Sequence, residues 1–183
     1  MPATLTCTLA DEGATVALAA AIARLLRPGL SVHLSGPLGA GKTTLVRALL
    51  RALGETGRVR SPTFTLIETY QAGGFELAHL DLYRFEHAEE LVQAGFDEYL
   101  GGAIITLIEW PERAQPLLPR PDLTIALSTV ALSSSHDRSD GARQALLTGH
   151  SPPGEALVTA LSTAVALQTL IIGPPAPAAG ASR

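Results

Sequence analysis

The chain has 183 residues, 46 % hydrophobic and 16 % charged, with a formal net charge of −4. Such a length and balance fit one globular domain, and the 4 % aromatic content leaves its core mostly to Ala, Leu, Val and Ile. The arginines are scattered, with no basic block, which argues against a protein that grips nucleic-acid phosphates through a cationic face of its own.

Cys7 is the single cysteine, so no intrachain disulfide forms. No charged segment precedes an apolar run at the start, so no secretory signal is expected. Residues 11–27 alternate small and apolar side chains at helical spacing; Thr8 or Asp11 is placed to cap the helix, and Pro28-Gly29 to stop it. "LSVHLSG" is a short β-prone run ending at Gly36. "TTLVRALLRALG" then sets Leu45, Leu49, Leu50 and Leu53 on one helical face, with Gly54 as the stop.

"FTLIETY" and "FELAHLDLY" read as two strands joined by the tight turn "QAGG", an antiparallel hairpin. Residues 86–100 are acidic and read as a helix broken at Gly95. "AIITLIEW" is a near-continuous apolar run, the pattern of a central strand buried on both faces. A proline-rich connection, "PERAQPLLPRPDL", leads to the strand "LTIALSTVAL", a polar turn and a last strand, "QALLTG". A final helix opens on Pro152-Pro153. Its apolar stretch, residues 156–172, is interrupted by Thr159, Ser162, Thr163, Gln168 and Thr169, too polar for a membrane span. The expectation is one α/β domain over residues 1–172, soluble in a reducing cytoplasm, with residues 173–183 a disordered tail.

Gly36, Gly41, Lys42 and Thr43 fit the spacing G-x-x-x-x-G-K-[ST], between an expected strand and an expected helix. Glycines let the backbone curl so that N–H groups point into one concave nest suited to phosphate oxygens. The helix that follows adds its positive end. Lys42 is the only lysine in the chain, against twelve arginines. A compact ammonium slips between phosphates where the wide guanidinium fork does not. Thr43 offers a hydroxyl to Mg²⁺. The chain contains no asparagine, so the N-K-x-D segment by which most such GTPases read guanine is absent, and ATP is the expected nucleotide.

Phosphoryl transfer needs an acid near the metal. Asp81 and Glu109 both end expected strands, and the more buried strand favours Glu109. The alternatives are a turn carboxylate at Asp81 and a strand-end cap at Glu109. "RSPTFTL" holds Ser61 and Thr63 where a segment sensing the γ-phosphate would lie, or is a plain connection.

Taken together, "GPLGAGKTT", "SPTFTLIETY", "HLDLYR" and "LIEWPE" resemble, in order and spacing, the TsaE family, the small ATPases of the bacterial tRNA threonylcarbamoyladenosine pathway. The resemblance covers residues 11–112 and, more loosely, the rest. It implies a P-loop NTPase-like three-layer sandwich: a mostly parallel central sheet with an antiparallel hairpin and helices on both faces. It also implies binding of ATP with Mg²⁺, weak hydrolysis alone, and action with TsaB and TsaD partners that modify adenosine 37 of tRNA. By position, the phosphate loop would comprise Gly36, Pro37, Leu38, Gly39, Ala40, Gly41, Lys42, Thr43 and Thr44. Thr43 and Glu109 would hold Mg²⁺, Asp81 would assist hydrolysis or the metal, and Ser61, Thr63 and Phe64 would fall in the switch segment. Trp110 would sit close to the nucleotide, and Asp11 near the adenine. An arginine from the C-terminal third is also expected at the nucleotide, with Arg138 and Arg143 both eligible.

Read from the residues alone, Trp110 is either a stacking group or a strand-end anchor. Arg84 either stabilises transition-state charge or pairs with Glu86, Glu89 or Glu90. Two rival functions fit the same loop. One is a P-loop small-molecule kinase, which needs an arginine-bearing lid; Arg113 and Arg120 flank a stretch poorly suited to one. The other is a nucleotide-gated binding module without useful turnover.

Overall fold

A central strand leads straight into the glycine-rich loop of residues 36–41. In the computed structural model, which describes residues 2–62, 65–129 and 142–172, that strand is β2 (Ser31–Ser35). The other strands are β1 (Thr4–Leu9), β3 (Ile67–Ala72), β4 (Phe75–Asp81), β5 (Ile105–Glu109), β6 (Leu123–Thr129) and β7 (Arg143–Gly149). The helices are α1 (Glu12–Ala23), α2 (Lys42–Ala52), the single-turn α3 (Glu90–Gln93) and α4 (Pro152–Ile172). Short 3₁₀ turns lie at Phe96–Tyr99 and Pro111–Arg113. The expected tail at 173–183, Thr63, Phe64 and Arg138 lie outside the described residues.

The strands form one sheet in the order β1-β7-β6-β2-β5-β4-β3. Its centre is parallel: β2 pairs with β5 and β6, and β5 with β4. The expected hairpin is β3–β4, turned on Gly73 and Gly74, whose φ values of 62° and 80° suit residues without a Cβ. The sheet is nonetheless less parallel than expected. Strand β7 returns antiparallel to β6, and β1 adds antiparallel to β7, so antiparallel ladders equal the parallel ones. Strand β7 can do this because its burial alternates, with one face turned outward.

Strand β5 is buried at every position, which explains its unbroken apolar run. Helices α1, α2 and α4 cover one sheet face; Leu45, Leu49 and Leu50 of α2 and Leu18 and Ile22 of α1 pack there with Val32, Leu34, Leu107 and Ile125. Each such side chain contributes about 1.5–3 kcal/mol when fully buried. The opposite face carries a smaller cluster beneath α3, in which Phe85 stacks on Phe96 at 6.4 Å. That second layer covers β4 and β5. Over β2 and β6 it gives way to the proline-rich segment 111–121, leaving a cavity.

Three local expectations need correction. Strand β1 was not foreseen, because its threonines mask the alternation of Leu5, Cys7 and Leu9. Helix α1 ends at Ala23, short of Arg27. The acidic helix of residues 86–100 reduces to α3 and one 3₁₀ turn, since Gly95 takes φ 72° between them.

Candidate functional site

Residues 36–41 loop from the end of β2 to the start of α2, and their geometry needs glycine at two places. Gly36 has φ 132°, and a Cβ there would lie 2.2 Å from the Leu127 carbonyl oxygen on β6. Gly41, the N-cap of α2, has φ 100°, and a Cβ would meet the Arg143 side chain at 3.0 Å. Among the described residues no side chain caps this helix, so its first N–H groups remain available to an external acceptor.

Lys42 is the first residue of α2 and is 4 % exposed. Its Nζ donates to the carbonyls of Gly36 (2.6 Å) and Pro37 (3.1 Å) and lies 3.7 Å from the centroid of the Trp110 ring. Burial pushes the ammonium below the ordinary lysine range, while the carboxylates of Glu109, Glu112 and Asp81 push it back up. Trp110 takes a left-handed backbone, φ 58°, a strained conformation for a bulky residue. Its N–H donates to the Leu34 carbonyl, and its ring meets Tyr83 at 5.0 Å.

Glu109 is 2 % exposed and held at both carboxylate oxygens. Thr43 Oγ1 donates to Oε2 at 2.9 Å, and His79 Nε2 sits 2.8 Å from Oε1. Asp81 is Glu109's register partner across the β4–β5 ladder, and its Oδ1 accepts from the Tyr83 N–H. Both acids therefore reach one end of the parallel strands, where α2 begins. A cavity of about 280 Å³ opens there, bounded by Lys42, Thr43, Asp81, Glu109, Trp110 and Arg143. Among the described residues, no group of three or more His, Cys, Asp or Glu could hold a metal ion. A cation at Thr43 and Glu109 would therefore complete its shell with oxygens from an anionic ligand or water.

Comparison with known proteins settles the family. The family described as threonylcarbamoyl adenosine biosynthesis protein TsaE matches residues 9–138. The chain belongs to the TsaE family. It is 39 % identical over 133 residues to the tRNA threonylcarbamoyladenosine biosynthesis protein TsaE of Haemophilus influenzae, covering 73 % of this chain and 78 % of that protein. Against the protein of the same name from Bacillus subtilis it is 41 % identical over 113 residues, 62 % of this chain and 70 % of the relative. The crystal structure of Bacillus subtilis YdiB superposes with a TM-score of 0.74 at 30 % identity, covering 90 % of this chain and 98 % of that one.

Among the positions expected from TsaE resemblance, Leu38, Gly39, Gly41, Lys42, Thr43, Thr44, Ser61, Asp81, Glu109 and Trp110 all line the one cavity. Gly36 and Ala40 are not in the lining: Gly36 accepts from Lys42 through its carbonyl, and Ala40, within the loop, is fully buried. Asp11 does not join them: it caps α1, its Oδ1 accepting from the Ala14 N–H at 2.8 Å. Thr63 and Arg138 lie outside the described residues, whereas Arg143 lines the cavity with a buried Nε that has no hydrogen-bond partner among the described residues. Arg84 is exposed and outside the lining. Sequence reasoning missed Tyr83 and the contact of His79 with Glu109. Alternation along β4 carried the latter signal, since His79 and Asp81 share a face.

Among the described residues, no helix is long and apolar enough to cross a membrane.

Proposed function

We propose that this TsaE-family chain binds ATP with Mg²⁺ in the phosphate-loop cavity and hydrolyses it. This turnover drives or resets a complex of TsaB-like and TsaD-like partners during threonylcarbamoyl modification of tRNA adenosine 37. The fold is read accordingly as a P-loop NTPase-like three-layer sandwich, working in the cytoplasm. One observation carries the reading: Lys42, Thr43, Asp81 and Glu109, from α2, β4 and β5, converge on an uncapped helix N-terminus behind a glycine loop.

The residues divide the work. Loop and helix N–H groups bind phosphate oxygens, and Lys42 adds a point charge among them. Thr43 and Glu109 fit Mg²⁺, being hard oxygen donors already bonded to each other. When bound, the ion neutralises charge on the phosphate oxygens. Glu109 or Asp81 orients a water and accepts its proton. Arg143, with an unused buried donor, is a cation from within the same chain for the charge that develops in transfer. Partners contribute the RNA contact, in keeping with a net charge of −4.

Calorimetry with ATP and Mg²⁺ should register binding that Lys42→Ala abolishes, and phosphate release should rise when the partners are added. No heat of association would overturn the nucleotide assignment. A phosphorylated metabolite would point instead to a kinase. A Glu109→Ala protein that sustains the modification cycle as well as wild type would reduce the chain to a nucleotide-gated module.

A further inference from the structure

A second cavity, of about 560 Å³, lies on the sheet face that α1, α2 and α4 leave uncovered. Its volume is within the range of about 300–1,000 Å³ usual for small-molecule sites. His33 and Thr124, register partners on β2 and β6, form its floor with Ser35 and His150. Thr124 Oγ1 and His150 Nε2 are 2.8 Å apart. His33 is 7 % exposed, and its buried Nε2 has no hydrogen-bond partner among the described residues. Most buried polar atoms are paired, so an orphaned ring nitrogen on a cavity wall points to a ligand or water that pairs it.

The lining selects the ligand class. Pro111, Leu118, Pro119 and Pro121 supply flat apolar walls, and a proline nitrogen donates no hydrogen bond. The single lining acid, Glu112, and the single lining arginine, Arg120, offset each other, so neither an anion nor a cation is favoured by charge. Burial and the neighbouring His150 hold His33 in its neutral form, down to about pH 4. Ser35, Thr124 and His33 therefore offer neutral groups that donate or accept: two hydroxyls and an imidazole edge.

We infer that this cavity binds a small, neutral, planar heteroaromatic of the nucleobase class, its edge on His33 Nε2 and Thr124 and its faces against the prolines. The cavity adjoins the first cavity's surroundings at two places along the chain, since Ser35 precedes Gly36 of the loop and Pro111 follows Trp110 of the lining. The inference does not depend on the nucleotide reading of that loop.

The test is calorimetric titration of the full chain with adenosine, guanosine, cytidine and uridine, with and without saturating ATP and Mg²⁺. These probes lack phosphate, so a phosphate cradle gives them no purchase. At least one nucleoside should bind with a dissociation constant of about 1 mM or tighter, and ATP should leave that binding in place. The near-isosteric Thr124→Val should weaken it about tenfold, the effect of one lost hydrogen bond. His33→Leu should do the same, and if that variant does not fold, Thr124→Val alone decides. The inference is overturned if none of the four binds, if ATP displaces the nucleoside, or if Thr124→Val binds it as tightly as wild type.

Discussion

Replacing His79 by leucine isolates how the buried acid of the site is held. The substitution roughly keeps side-chain volume and removes the ring nitrogen 2.8 Å from Glu109 Oε1, leaving Thr43 as the remaining side-chain partner among the hydrogen bonds described. With His79 at 0 % and Glu109 at 2 % exposure, bulk water does not replace the lost donor. A hydrogen bond to a charged group contributes about 1.5–3 kcal/mol, and stranding one member of a buried pair costs about 3–5 kcal/mol. His79→Leu should therefore lose about 3 kcal/mol. For a domain of this size, that lowers Tm by about 6–12 °C. His79→Gln retains an N–H donor and should lose about 1 kcal/mol. Urea denaturation followed by far-UV circular dichroism, without nucleotide, measures both. Nucleotide titration with and without Mg²⁺ supplies a second readout: on the proposed reading, a loosened carboxylate should weaken the metal-dependent part of binding selectively. A His79→Leu protein within about 0.5 kcal/mol of wild type would refute the reasoning, since Glu109 would then not depend on the imidazole.

Gly36→Ala should destabilise the fold by about 3 kcal/mol or more, because φ 132° is essentially a glycine conformation and the added methyl would sit 2.2 Å from a backbone oxygen. A thermal melt checks this, and an unchanged Tm would mean that β6 yields freely. Acid should also weaken the fold through His33, whose folded-state value, lowered to about 4 by burial first and then by His150, lies below the ordinary 6.5. Keeping this group neutral contributes fully above pH 6.5, and that contribution is lost as pH falls towards 4, because the unfolded chain takes up the proton first. The loss amounts to about 3 kcal/mol. His33→Gln should flatten the stability profile across that window, with Glu112, Arg120 and His150 still in place around the cavity.

Most of the glycine loop ahead of α2 was legible because its spacing is rigid: glycine, glycine, lysine and threonine each answer a local demand of backbone or charge. Strand β5 and the β3–β4 hairpin were legible for similar reasons, one an unbroken apolar run and the other a two-glycine turn. What escaped depends on distance along the chain. The resemblance leaves Arg138 and Arg143 equally eligible, and no local pattern tells that Arg143 reaches Gly41: it does so because β7 runs antiparallel to β6 and starts at the end of the sheet where the loop lies. Alternation along β4 puts His79 on the face of Asp81, but the β4–β5 register that brings Glu109 beside them is not written in either strand. The acidic segment after Phe85 looked helical by composition, yet helices this short depend on tertiary contacts, here the seating of Leu91 and Phe96.

Trp110 is the chain's only tryptophan. Its indole lies over the Lys42 ammonium and beside Tyr83. Light absorbed at the red edge of the protein's near-ultraviolet band thus excites one chromophore at one address. Any event that draws the ammonium away from the ring alters the colour or yield of that emission. The molecule carries a built-in optical gauge of the loop that Lys42 closes, readable without dye or label.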